Sequence, residues 1–176
     1  YVDNYLKLNN ILFRIVKVNK DDTVTIVSED PIANIDYGAK NGKFDGSNMD
    51  EWLNDYFYAS LNNKSKKLIV DTKWCNDVVT DDNLSKTNCD KYTSSKKVGI
   101  LSIEDYNNSL DQNSNSYLQI MARTWYNNLD SNSKVWSIKS NAKESYKDDI
   151  LLNIRPAITL KKNIKILSGD GSIDSP

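Results

Sequence analysis

Residues 5–27, YLKLNNILFRIVKVNKDDTVTIV, decide the fold class, because they contain three apolar runs separated by two polar turns. Asn9-Asn10 lies between the first two runs, and such residues accept the positive φ angles of a tight hairpin turn. Ile11–Val18 is rich in β-branched residues, and residues 23–27 alternate as a half-buried strand does. We therefore predict an antiparallel sheet over residues 5–37.

Two segments predict helices. Residues 47–61 begin with Ser47, a suitable N-cap, and continue with apolar side chains at the spacing of one buried helical face. A second, shorter helix is predicted to start at Ser102, because Asp105 completes a capping-box pattern three positions later. The side chains expected to face the core are Met49, Trp52, Leu53, Tyr56, Phe57 and Leu61 in the first helix, and Ile103 and Tyr106 in the second.

The C-terminal third predicts sheet again. Arg155-Pro156 indicates a strand start or an edge position, since proline has no N–H to donate to a central ladder. The segments 76–97 and 107–117 are polar and are predicted to be irregular. The candidate strands are residues 118–126, 134–139, 154–160 and 164–167.

These elements predict one α+β domain over residues 1–176, with antiparallel sheets, two helices and one disulfide. The 176 residues suffice for one hydrophobic core, and the sequence shows no repeat or linker. We expect any export signal, anchor or pilin helix to lie upstream of Tyr1.

The amino-acid composition excludes several classes of function. The chain has 23 basic and 24 acidic residues, interspersed along its length, and no histidine. A nucleic-acid-binding domain would carry a basic face, so no nucleic-acid partner is expected. Without histidine there is no Ser-His, Cys-His or His-metal chemistry. We therefore expect no catalytic residue, no metal and no cofactor.

No apolar run approaches the roughly 20 residues that a membrane-spanning helix needs, so this fragment is expected to make no membrane contact. The acidic runs Asp21-Asp22, Asp81-Asp82 and Asp170 with Asp174 do not have the spacing of an EF-hand loop. We interpret them as solvated turns. Residues 169–172, GDGS, are likewise typical of a turn.

Cys75 and Cys89 bracket a polar stretch that would not order itself well. A disulfide between them would close a loop of about 15 residues and contribute about 3 kcal/mol in the chain-entropy model. The alternative is a redox or metal-binding pair, which would favour closer spacing or further ligands. The disulfide requires an oxidising compartment, so it predicts an extracellular location.

Three tryptophans allow two interpretations. Trp74, Trp125 and Trp136 are rings of the kind that fill a mixed core, and we favour that role. Alternatively, aromatic rings stack on the apolar faces of sugars. Trp125 and Trp136 are then the candidate ligand-contacting residues, provided that they are exposed beside a groove.

Six stretches of the sequence together form a recognisable pattern. They are 5–16 (YLKLNNILFRIV), 44–58 (FDGSNMDEWLNDYFY), 68–75 (LIVDTKWC), 97–106 (KVGILSIEDY), 155–161 (RPAITLK) and 169–172 (GDGS). In this order they resemble one family of secreted domains, found in Firmicutes (Clostridium-type) surface proteins behind a type IV pilin-like N-terminus or a membrane anchor. The resemblance covers nearly the whole chain and implies a C-type-lectin-like fold in the C-terminal half.

The resemblance implies a non-catalytic structural or adhesive subunit, the globular head of a minor type IV pilin-like protein on the cell surface or in a pilus. Its partners would be other pilin or surface-protein subunits, and residues 76–97 and 107–117 are the loops expected to be presented. The alternative is a ligand-binding module of an adhesin, with a host glycan or a host protein as its ligand.

Overall fold

An asparagine pair forms the first hairpin, as the sequence predicts. Asn9 and Asn10 have φ angles of 53° and 61° and join two antiparallel strands, Tyr5–Leu8 and Ile11–Val18. The computed structural model describes residues 4–176, so the first three residues of the predicted domain lie outside the described chain.

The strands are numbered in chain order. They are β1 (Tyr5–Leu8), β2 (Ile11–Val18), β3 (Val24–Ser28), β4 (Ala33–Ile35), β5 (Ile69–Val70), β6 (Thr72–Cys75), β7 (Tyr92–Lys96), β8 (Val98–Gly99), β9 (Thr124–Leu129), β10 (Val135–Lys139), β11 (Ala142–Tyr146), β12 (Leu152–Ile154) and β13 (Ala157–Leu160). The helices are α1 (Asn48–Glu51), α2 (Tyr58–Ser60), α3 (Asn63–Lys66) and α4 (Ile103–Asn108), with a π-helical turn over Trp52–Phe57 and a 3₁₀ turn over Asp81–Asn83.

Most strands belong to two sheets. The first has the order β1-β2-β3-β13-β5, with β8 also pairing with β13, and the second has the order β11-β10-β9-β12-β4. All these pairings are antiparallel except that of β12 with β9. A separate two-stranded ribbon joins β6 to β7. The predicted α+β class with antiparallel sheets is confirmed.

Arg155-Pro156 divides the predicted strand 154–160 between the two sheets, because β12 belongs to the second and β13 to the first. The buried Arg155 guanidinium holds this crossing by donating to the carbonyls of Ser28 and Leu118, at 2.7 and 3.0 Å. Leu118 itself lies in a turn. The strand predicted from residue 118 begins only at Thr124.

The main helix consists of α1, the π-helical turn and α2, residues 48–60. It begins at the position that the sequence predicts, since the Ser47 hydroxyl accepts the N–H of Asp50 at 3.0 Å. α1, the π-helical turn and α2 follow one another without a break. Tyr56, expected in the core, is exposed because the wider π-helical turn departs from the 3.6-residue spacing. The second predicted helix is α4, with its Ser102–Asp105 capping box. The short α3 was not predicted.

Two further sequence predictions were wrong. Residues 164–167 form no strand with any other described residue, and Leu167 is fully exposed. The segment 76–97 is not irregular throughout, because it contains the 3₁₀ turn and β7. None of the helices in residues 4–176 combines the length and apolar character that crossing a bilayer requires.

The first sheet separates two apolar clusters. Ile26 and Ile158 face the cluster that includes the main helix, whereas Val27 and Ala157 face the cluster that includes α4. Successive strand residues point to opposite faces, which explains the division. The second face is the one that carries the candidate site.

Candidate functional site

A groove of about 830 Å³ lies on this second face of the first sheet. Residues two apart on a strand share a face, so the face that bears Val27 and Ala157 continues with Thr25 and Thr159. These two threonines are cross-strand partners whose hydroxyl oxygens lie 3.4 Å apart, and both line the groove. The sheet face is therefore apolar where it is covered and carries hydroxyls where the groove begins.

Four segments form the walls of the groove. They are the end of β2 with the turn that follows it, the stretch from β5 through β6, the end of the disulfide-closed loop, and α4. The lining carries both signs of charge, from Lys17, Lys20 and Lys73 and from Asp21, Asp71, Glu104 and Asp105. Because the charges nearly balance, the groove does not select strongly for an anion or a cation.

Trp74 forms part of one wall. Its ring lies directly on the backbone of Gly99, where a Cβ atom would come within 2.4 Å of ring carbons. Any side chain at position 99 would therefore displace the ring. Trp74 is 4% exposed, and its indole Nε1 has no hydrogen-bond partner among residues 4–176. A buried donor without a partner costs about 1–3 kcal/mol.

Glu104 lines the groove from α4 and is 2% exposed. Its Oε2 accepts the side-chain N–H of Asn128 at 3.0 Å, while Oε1 has no partner within the described chain. Burial raises the pKa of Glu104, because the ionised carboxylate loses its hydration. The groove thus has two nearly buried side chains, each with one unsatisfied polar atom.

Asp105, beside Glu104, serves the helix. Its carboxylate accepts the backbone N–H and the hydroxyl of Ser102, at 2.9 and 3.0 Å. Burial raises the pKa of Asp105 despite these hydrogen bonds. The Asp105 carboxylate therefore caps α4.

The Cys75–Cys89 disulfide is confirmed, with 5.8 Å between the two Cα atoms, and it forms one end of the groove. A carboxylate oxygen of Asp77 lies within 4.8 Å of both sulfurs, a grouping that could hold a metal if the cysteines were thiolates. In the disulfide neither sulfur carries the negative charge of a thiolate ligand. The oxidised pair is therefore a cross-link.

Asp77 orders the loop that the disulfide closes. Its buried carboxylate accepts from the Lys86 ammonium at 2.5 Å, from the Asp90 N–H at 3.0 Å, and from the Lys91 N–H. Burial by itself would raise the pKa of Asp77, but these hydrogen bonds outweigh it and lower the pKa. Nothing in the sequence pattern distinguishes Asp77 from the other aspartates of this polar stretch.

Trp125 and Trp136 lie in the core, 1% and 3% exposed. Their indole N–H groups donate to the carbonyls of Ile35 and Val79, at 2.9 and 2.8 Å. Neither ring offers a face to a ligand, so the sugar-stacking interpretation of these two residues is not carried forward. Their burial follows from their places in the sheet, because Trp125 on β9 packs in the first apolar cluster and Trp136 on β10 packs in the second, and both strands are flanked by neighbours.

The acidic runs lie in turns. Asp21 accepts the N–H and the hydroxyl of Thr23, and Asp170 accepts the N–H of Ser172. Asp81 and Asp82 begin the 3₁₀ turn. These local hydrogen bonds are typical of aspartate in turns.

Sequence reasoning missed most of the groove. The alternating threonines of residues 23–27 suggested a strand but not a polar floor, because the partner Thr159 is 134 residues from Thr25. Glu104 could have been noticed as an acidic residue in the first turn of a short helix. That signal is weak, since acidic residues are common there.

A family model described as "Domain of unknown function (DUF6273)" matches residues 21–162. The matched span contains both threonines of the floor, both cysteines, Trp74 and Glu104. No curated protein and no solved structure matches the chain.

Proposed function

This chain belongs to the DUF6273 family, and from that premise we propose that it is an exported, non-catalytic structural or adhesive domain. In this proposal it forms the globular head of a pilin-like protein, displayed on the cell surface or in a pilus. Its partners are other pilin or surface-protein subunits.

The disulfide is the observation that carries this proposal. Structural disulfides persist in oxidising compartments and are rare in the reducing cytosol. Cys75–Cys89 closes a polar loop around Asp77, whose carboxylate depends on backbone N–H groups that the closed loop brings together. The cross-link and the buried carboxylate therefore support each other, which favours a structural rather than a transient disulfide.

The carboxylates near the groove favour a role other than catalysis. Asp105 caps α4, and Asp77 is paired with Lys86 and two backbone N–H groups. A general acid or base needs a proton-carrying atom within reach of a substrate. Glu104 is buried, and one of its oxygens is bonded to Asn128.

Exposed apolar side chains supply candidate contacts between subunits. Ile166 and Leu167 are 84% and 99% exposed, and Met121 and Leu151 are also well exposed. Ile166 and Leu167 are neighbours in the chain, and subunit association buries exposed apolar surface where it is contiguous.

The test uses intact cells that express the full-length protein. Surface digestion with trypsin is expected to release peptides of this domain, and non-reducing mass spectrometry is expected to find Cys75 linked to Cys89. Protection from trypsin together with alkylation of both thiols without reduction would contradict export. A sheared filament fraction tests the pilin part: if the domain stays with the cell body, it is a surface module and not a fibre subunit.

A ligand-binding module of an adhesin is the second candidate, with a glycan or a host protein as the ligand. The groove favours it, because it is a cavity of suitable size whose lining includes the exposed ring of Tyr92. Small-ligand sites have volumes of about 300–1,000 Å³. This candidate now depends on the groove and no longer on Trp125 and Trp136.

A further inference from the structure

We propose that the groove between the first sheet, α4 and the disulfide is a binding site for a neutral oligosaccharide. The proposal rests on the ligand-binding candidate above and names the class of its ligand. It depends on two hydroxyls of the groove floor, on one exposed aromatic ring at the rim and on the near balance of charge in the lining.

The floor favours a ligand with many hydroxyls. Thr25 and Thr159 lie side by side across β3 and β13, with their hydroxyl oxygens 3.4 Å apart. Each hydroxyl can donate one hydrogen bond and accept two, and Thr25 Oγ1 already accepts from the side-chain amide of Asn19 at 3.2 Å. The capacity that remains allows a pair of neighbouring sugar hydroxyls to exchange hydrogen bonds with the two threonines, which are 9% and 3% exposed.

The rim offers a stacking surface. Tyr92 lines the groove at the start of β7 and is 56% exposed. A tyrosine ring combines an apolar face with a polar tip, which suits a ligand that is apolar on its ring face and polar at its edges. A pyranose ring has this character.

The walls explain why the ligand should be polar and uncharged. Trp74 and Glu104 are also lining residues, but their unsatisfied atoms, Nε1 and Oε1, are buried and do not contact a ligand in the groove. The three lysines and four acidic residues of the lining leave no dominant charge to attract an ionic ligand.

The experiment begins with the complete chain on an array of neutral and acidic oligosaccharides, with an array of neutral peptides beside it. A neutral oligosaccharide that binds is then titrated calorimetrically. Tyr92→Ala and Thr159→Val are each expected to weaken binding by about fivefold, the effect of losing one stacking contact or one hydrogen bond. Tyr56→Ala is the matched control, since Tyr56 is exposed on the main helix and does not line the groove.

An NMR titration reports on the walls. The chain has four tryptophans, and Trp74→Phe assigns the indole N–H signal of Trp74. Saturating ligand is expected to shift this signal and leave those of Trp125 and Trp136 in place, because Trp74 lines the groove and the other two do not.

The proposal is overturned if no neutral oligosaccharide binds, if only acidic sugars or peptides bind, or if Tyr92→Ala and Thr159→Val both leave the affinity unchanged. The trypsin experiment on intact cells is independent of this result. A surface-exposed domain without saccharide binding would therefore retain the structural proposal and lose this one.

Discussion

Two loops of similar composition have different structural roles in this protein. The loop closed by the disulfide, residues 75–89, is organised together with Asp90 and Lys91 around the buried carboxylate of Asp77. In residues 107–117, by contrast, Asp111 is exposed and accepts the N–H groups of Asn113 and Asn115, at 2.8 and 2.9 Å. Both loops were predicted to be irregular and presented, but the first is built into the domain. The second is continuously exposed only over residues 111–115, and at its ends the side chains of Asn107 and Tyr117 donate to the carbonyls of Leu84 and Val16.

The difference shows that polar composition does not determine whether a loop is built into the domain. Each aspartate has a pKa below its usual value, and backbone N–H groups contribute to both shifts. Asp77 makes its contacts across 13 and 14 residues and through Lys86, whereas Asp111 makes contacts two and four residues away. Long-range contacts of a buried carboxylate fix the chain, and local contacts only shape a turn.

The largest expected effect is that of Asp77→Ala. The substitution leaves the Asp90 and Lys91 N–H groups and the Lys86 ammonium without their acceptor, so the free energy of unfolding should fall by about 3–4 kcal/mol. Urea denaturation measures it. Asp111→Ala is the matched control, and equal losses in the two variants would refute the proposed difference between the loops.

The next effect is that of removing the cross-link. The double substitution Cys75→Ala and Cys89→Ala should reduce the free energy of unfolding by about 3 kcal/mol, the chain-entropy value for a loop of about 15 residues. Hydrogen exchange should become faster in residues 76–91 and stay unchanged in residues 111–115, where the hydrogen bonds of Asp111 are local. Unchanged exchange in the first loop would mean that Asp77 alone orders it.

A smaller effect, dependent on pH, is expected for Glu104→Gln. Burial raises the pKa of Glu104 in the folded state, so its contribution to stability is complete below the unfolded-state pKa and is lost as pH rises through the folded-state pKa. Glutamine is neutral and keeps an acceptor for Asn128.

The free energy of unfolding of the variant should therefore rise relative to that of the wild type as pH increases through the folded-state pKa of Glu104. Urea denaturation at pH 4, 6 and 8 measures the gain. A constant difference in the free energy of unfolding between the two proteins over this pH range would show that Glu104 has the same pKa in the folded and unfolded states.

The smallest effect is that of Asp111→Ala by itself. The Asn113 and Asn115 N–H groups can bond to water when the exposed carboxylate is gone, so the melting temperature should change little. Faster hydrogen exchange is expected within residues 107–117 only. A cooperative loss of stability would show that this loop, too, is part of the domain core.

The sequence predicted local structure well where neighbouring residues decide it. Asn9-Asn10 predicted the hairpin, Ser47 predicted the start of the main helix, and Ser102 with Asp105 predicted α4. Each is a capping or turn signal whose physical cause lies within a few residues. The disulfide was predicted because only two cysteines were present and their loop was polar.

Prediction failed where distant residues decide the outcome. The strand predicted for 154–160 was divided between two sheets, which depends on the contacts of Arg155 with Ser28 and Leu118. The exposure of Tyr56 depends on a π-helical turn that the apolar spacing did not indicate.

The sequence by itself therefore determined the α+β class, the antiparallel opening sheet, the helix starts and the cross-link, because these depend on backbone preferences and on chain connectivity. The tertiary structure decided which polar residues are buried. Thr25 and Thr159 meet only through the pairing of β3 with β13, and Asp77 is enclosed only when its loop closes. The groove follows from those long-range pairings, since burial depends on what the rest of the chain places beside a residue.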